Sequence, residues 1–166
     1  PGLKALFGTL RQSVNAEADM KTLMTAQVLF WLLRAPDGHA KNFSIQLLPR
    51  GRFQLTPLYD VMSVYPVSSN APNQWSPHEI KLAMALFGKN RHYEMQGIQR
   101  RRFNSTVQKV GYASTAEPII EEILARTPAA IAEVQAELPQ DFSPRVCDAI
   151  LGGLEQPART LGGMPP

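Results

Sequence analysis

Asp37 and Asn42 stand five positions apart in the run Asp37-Gly38-His39-Ala40-Lys41-Asn42, and a further carboxylate, Asp60, follows after a short alternating segment. These are the residue types that phosphoryl transfer requires: one carboxylate to orient and deprotonate an attacking hydroxyl, and hard oxygen ligands to hold Mg²⁺ against phosphate oxygens. In that assignment Asp37 is the base, while Asn42 and Asp60 hold the metal. Lys41, one position before Asn42, offers an ammonium to the charge that develops on the group in transit. His39 is open between three roles: a bond to the loop backbone, a partner that positions Asp37, or plain support of a tight turn. Spacing alone also fits an ordinary polar loop, because an Asp and an Asn at this separation with an Asp downstream recur by chance. A metal hydrolase built on Asp37 and His39 is disfavoured, since His78 and His92 have no ligand spacing relative to them.

The flanking elements decide whether such groups can meet. Upstream, Leu3, Leu6, Phe7 and Leu10 predict a short amphipathic helix. Asp19 then reads as an N-cap for a second helix carrying Leu23, Met24, Val28, Leu29, Leu32 and Leu33, which Pro36 stops. Downstream, Phe43, Ile45 and Leu47 alternate with polar residues, Pro49-Arg50-Gly51 supplies a turn, and Phe53 and Leu55 return. A hairpin here folds the chain back and brings Asp60 towards Asn42. Residues 63–76, rich in Pro, Asn and Ser, predict a long irregular loop. For residues 82–95, Ser76, Pro77 and Glu79 would cap a helix, but Leu82, Met84 and Leu86 alternate, and a second hairpin about Gly88-Lys89-Asn90 is preferred.

The remainder predicts helices with clear punctuation: one from Gln99 to Gly111, one capped by Ser114 with Glu117, one opened by Thr127 and Pro128, and one opened by Ser143 and Pro144. Each of the last three carries one apolar stripe, so a helical bundle over about 98–161 packs on the earlier part. Pro157 is expected to bend or end the last helix, with 162–166 a fraying tail.

With 166 residues, 44% of them hydrophobic, the chain can close one sizeable core, and the fold class read from the pattern is mainly α with short β-hairpins. It opens on Pro1 and is expected to begin inside a longer polypeptide. The longest apolar run, 28–33, is far short of the roughly 20 residues of a membrane helix. A lone Cys147 cannot form an internal disulfide, which fits a reducing cytoplasm. Much of the net charge of +3 comes from Arg91, Arg100, Arg101 and Arg102, for which a solvated helix face is preferred over contact with nucleic acid or an acidic partner.

Protein kinases place a catalytic Asp and a metal-binding Asn at the Asp37–Asn42 spacing, with a second metal-binding Asp after the next hairpin. The wording around these residues is narrower. Trp31-Leu32 through Asp37-Gly38-His39-Ala40-Lys41-Asn42-Phe43-Ser44, then Leu55-Thr56-Pro57-Leu58-Tyr59-Asp60-Val61, then Lys81-Leu82-Ala83-Met84, closely resembles the HipA family of kinases. The similarity runs more weakly through Arg102-Phe103 to about Leu154. It implies the C-terminal lobe of a protein-kinase-like fold and a toxin that uses ATP and Mg²⁺ to phosphorylate serine or threonine in a protein target, notably glutamyl-tRNA synthetase. It further implies a small helix-turn-helix antitoxin (HipB-like), with which the toxin represses its own operon at operator DNA. The family's catalytic Asp falls on Asp37 and its metal ligands on Asn42 and Asp60. Like that family, the chain departs from ordinary kinases, with Ala35-Pro36 ahead of Asp37 and Val61 after Asp60. No glycine-rich phosphate loop and no strand lysine paired with a helix glutamate is found, and in the family these lie in an N-terminal lobe. The 166 residues alone are therefore expected to have negligible kinase activity, and two alternatives stay open: a kinase-like small-molecule phosphotransferase, which shares the Asp, Asn, Asp arrangement, and a non-catalytic module in which the bundle from Ser114 onward docks a partner.

Overall fold

Leu3, Phe7 and Leu10 give the first helix, α1 (Leu3–Leu10), a single buried stripe. The next, α2 (Ala16–Leu32), is buried on almost every side, through Leu23, Met24, Ala26, Gln27, Val28, Phe30, Trp31 and Leu32. It is the central post of the molecule, which a computed structural model describes over residues 1–166. Asp19 is not its N-cap. Asn15 occupies that position, and Asp19 lies buried in the first turn, accepting hydrogen bonds from the Leu55 amide (2.8 Å) and the Ser13 hydroxyl. A carboxylate is favoured at that end of a helix, and here it also pins the following hairpin to α2.

The hairpin pairs β1 (Ile45–Leu48) with β2 (Arg52–Leu55), antiparallel, with Ile45 opposite Leu55 and Leu48 opposite Arg52. Arg50 and Gly51 turn the corner with φ of 65° and 70°, the left-handed region that a glycine enters at no steric cost. A second hairpin joins β3 (Lys81–Phe87) and β4 (Arg91–Glu94), with Phe87 opposite Arg91. A register shift between Lys81 and Leu86 lets Met84, Ala85 and Leu86 be buried in succession. The helix α3 (Arg100–Lys109) lies on β3, and the Phe87 amide donates to Thr106 Oγ1 at 2.8 Å.

Two further helices complete the fold, α4 (Glu117–Glu137) and α5 (Pro144–Gly163). Sequence punctuation misplaced two boundaries here. Thr127-Pro128 does not open a helix: both residues sit inside α4, and the Thr127 hydroxyl donates back to the Ile123 carbonyl at 2.8 Å. Pro157 does not end α5, which continues to Gly163, and Met164 beyond it packs on the core. In each case tertiary packing outweighs a local breaker signal.

Arg100 also departs from the solvated-face reading, being only 4% exposed. Its guanidinium bonds Glu117 (2.9 Å through Nε) and Glu121 of α4 and the Leu161 carbonyl of α5 (3.2 Å), joining three helices at one charge. Arg101 remains exposed. The core beneath is continuous, with Phe7, Leu23, Trp31, Leu86, Phe103, Ile120 and Leu161 in one cluster. Trp31 meets Phe103 edge-on at 6.1 Å and donates to the Met95 carbonyl at 2.8 Å. No helix is long and apolar enough to cross a membrane.

Candidate active site

The last turn of α2 sets the geometry. Arg34 takes a left-handed backbone (φ 47°), and the Ala35 and Arg34 amides donate back to Phe30 (2.8 Å) and Trp31 (3.3 Å), the paired bonds that close a helix end. Pro36 then directs the chain into the loop holding Asp37. Gly38 rests on the Phe30 ring so closely that a Cβ there would lie 2.3 Å from it. Phe43 meets the same ring edge-on at 6.1 Å, so one aromatic pair supports the loop at both ends.

Hydrogen bonds close this loop on itself. The Asp37 carbonyl accepts from the His39 amide (2.7 Å) and from Asn42 Nδ2 (2.7 Å), and the Asn42 amide donates to the His39 carbonyl (2.9 Å) within the short 3-10 turn Ala40–Asn42. With Nδ2 committed to the loop, buried Asn42 keeps Oδ1 as its remaining acceptor. The Asp37 carboxylate points outward with its side chain 52% exposed, and His39 Nε2 stands 3.3 Å from Asp37 Oδ1. Of the three roles open to His39, its ring therefore stands beside the carboxylate. Its Nδ1 is buried without a protein partner. Lys41 is exposed and forms no ion pair.

Tyr59 brings Asp60 to this loop. Its hydroxyl donates to the Lys41 carbonyl at 3.1 Å and is 2.7 Å from Ser44 Oγ. Asp60 follows in the left-handed region (φ 57°), exposed. Beyond it, residues 63–65 cap α2: Ser63 Oγ donates to the Leu33 carbonyl (2.6 Å), the Val64 amide to Arg34 (3.2 Å) and the Tyr65 hydroxyl to Leu32 (2.9 Å). The Tyr65 ring packs against Gly153 of α5 and under the Arg34 guanidinium at 5.1 Å. Burial pushes the Tyr65 phenol up to about 12, against the opposing pull of Arg34. The segment read as irregular is therefore anchored at its start, with a 3-10 turn at Tyr65–Val67 and a bridge between Ser68 and Trp75.

The structure thus gathers Asp37, His39, Lys41 and Asn42 on one loop and ties the residue before Asp60 to that loop. No group of three or more His, Cys, Asp or Glu side chains is placed to hold a metal ion by itself. The available set is one amide oxygen, Asn42 Oδ1, and one carboxylate, Asp60. That is the sparse, all-oxygen type that suits Mg²⁺ when phosphates and water fill the rest of its shell. An apolar cleft of about 370 Å³ among α2, α4 and α5, lined by Leu29, Leu33, Ile123, Ile131 and Leu154 among others, includes none of these residues. Sequence reasoning assigned no role to Tyr59, Ser63 or Tyr65. The place of Tyr59 directly before Asp60 was the one available hint.

A family model described as HipA-like C-terminal domain matches residues 2–131. The fold is similar to that of a chain in the structure of the Shewanella oneidensis MR-1 toxin–antitoxin system HipA, HipB and its operator DNA complex, with a TM-score of 0.79 and 23% sequence identity over 98% of this chain. The match takes in 36% of that chain, so the 166 residues span about a third of its length. The structural likeness is one of fold. The family match is one of sequence, and since it covers the loop 37–42, Asp60 and every element from α1 through most of α4, the chain belongs to the HipA-like C-terminal domain family.

Proposed function

We propose that the full-length protein is a serine/threonine protein kinase, the toxin of a type II toxin–antitoxin module, and that this chain supplies the C-terminal, catalytic-loop-bearing lobe of its kinase-like fold. The observation that carries the reading is the closed loop in which Asn42 bonds the Asp37 carbonyl, with Tyr59 fastening the segment of Asp60 to the same loop. Asp37 accepts the proton of the attacking hydroxyl, and His39 orients its carboxylate. Lys41, free of any ion pair, faces the charge of the transferred group. Asn42 Oδ1 and Asp60 would hold Mg²⁺, and Mg²⁺–ATP when bound would supply the γ-phosphate with the charge on its oxygens neutralised.

The groups that clamp the nucleotide are supplied from outside the 166 residues, since these contain no glycine-rich phosphate loop. An aminoacyl-tRNA synthetase such as glutamyl-tRNA synthetase is the target class in view, acting in the cytoplasm. A HipB-like helix-turn-helix antitoxin is the partner in view, and through it operator DNA, as in the complex of the Shewanella relative. In the full-length protein, Asp37→Asn is expected to lower protein phosphorylation by about 10²- to 10⁴-fold while the fold persists. Asp60→Ala should remove Mg²⁺-dependent nucleotide binding. Radiolabelled ATP with the purified target checks both, and parental turnover by Asp37→Asn, or label on a small molecule in place of protein, overturns the reading.

A further inference from the structure

The hydroxyl of Tyr59 is a different kind of participant from the groups above, since nothing in the chemistry calls for a phenol there. We infer that Tyr59 is a positioning residue of the proposed phosphoryl-transfer site, its hydroxyl setting where Asp60 stands relative to Asn42. The inference rests on the roles proposed for Asp37, Asn42 and Asp60.

The direction of the two bonds follows from elementary chemistry. A carbonyl only accepts, so the single phenol proton goes to the Lys41 carbonyl, and Ser44 Oγ must then donate to the phenol oxygen. Tyr59 thereby holds the loop on both sides of Asn42, one residue before it and two after. Neither bond is needed to close the hairpin. The ladder already ends at Ile45 opposite Leu55, and the Ser44 carbonyl takes both the Thr56 amide (3.0 Å) and the Thr56 hydroxyl (3.2 Å). What the hydroxyl does control is its neighbour.

Leu58 packs on the core, and Ser63 and Tyr65 are fixed to the end of α2. Between these anchors, Tyr59 makes the side-chain hydrogen bonds that fasten the stretch 59–62 to the loop. Asp60 also carries a left-handed backbone, sparsely populated for a residue with a side chain. Without the tether, relaxation of that torsion swings the carboxylate away while the surrounding elements stay in place. A misplacement on the scale of 1 Å costs about 10²-fold in rate when reacting groups must be held in line.

The test uses the full-length protein with Mn²⁺ as the probe, its retention with a non-hydrolysable ATP analogue followed by electron paramagnetic resonance. Tyr59→Phe should keep the parental melting temperature to within a few degrees, retain Mn²⁺ about 10-fold more weakly and lower kcat by about 10- to 100-fold. Ser44→Ala, which removes one bond and leaves the other, should fall between parent and Tyr59→Phe, and it decides the matter if Tyr59→Phe does not fold. A purely structural role would lower the melting temperature and leave Mn²⁺ affinity unchanged. If Asp37→Asn is inactive while both variants retain Mn²⁺ and turn over like the parent, Tyr59 has no positioning role and the site itself stands. If Asp37→Asn turns over at the parental rate, the site falls and the role of Tyr59 with it.

Discussion

Gly38 is the residue on which the loop 37–42 is seated, because Phe30 leaves no room for a side chain. Gly38→Ala forces the loop off the ring or the ring off its rotamer, and overpacking of this kind costs about 1–3 kcal/mol. The expected result is a measurable fall in chemical-denaturation stability together with weakened phosphorylation by the full-length protein. Unchanged values in both would show that the loop is not seated on Phe30. At this scale the sequence was informative about candidates, because few side chains can act as base, cation or metal ligand, and the structure places Asp37, Lys41 and Asn42 on one loop with Tyr59, next to Asp60, bonded to it. Tyr59 escaped notice for the opposite reason. A hydroxyl that bonds one backbone carbonyl and one serine leaves no spacing or periodicity to detect.

Among elements, α4 carries the clearest local cost. Pro128 stands exposed inside that helix without an amide to donate. Pro128→Ala should raise the melting temperature, the helix gaining about 1–2 kcal/mol after allowance for the freer unfolded chain. A thermal scan that shows loss of stability would mean that the proline ring itself makes a necessary contact.

A second element-scale test concerns the cap on α2. Burial raises the Tyr65 phenol to about 12 from an ordinary value near 10, so the folded state favours the protonated form. Its contribution is complete below pH 10 and is lost as the pH climbs through about 12. Tyr65→Phe should therefore be less stable than the parent near pH 8, by about 1 kcal/mol for the lost bond to Leu32. That gap should narrow above pH 10, and a constant gap across the range would refute the assignment. The helices and both hairpins were readable from hydrophobic period. Asp19, Pro128 and Pro157 were not, because cap and breaker signals report only local preference. Whether a helix continues through a proline depends on what packs against its far half.

For the whole molecule, the decisive charge is Arg100. Its bond to Glu117 holds that carboxyl below the usual carboxylate range, with Asn104 assisting and burial opposing. A depressed folded value contributes stability above the unfolded value and loses it as pH falls through the folded one. Glu117→Gln should thus destabilise the protein near neutral pH, and the difference from the parent should shrink on acidification below about pH 4. Urea titrations at several pH values check this, and a difference that grows in acid would contradict it. The triple arginine looked like surface charge because a run of one sign usually is. Nothing in Arg100-Arg101-Arg102 itself shows that the first turns inward to meet α4 and α5.

Three consecutive carbonyls at the end of α2, on Leu32, Leu33 and Arg34, are each claimed from residues 63–65. The strand of chain that carries Asp60 can settle only once that terminal turn exists, and fraying of the turn releases both together. Amide protons of Val64 and Tyr65 should accordingly exchange with solvent in step with that of Asn42, as one cooperative opening unit.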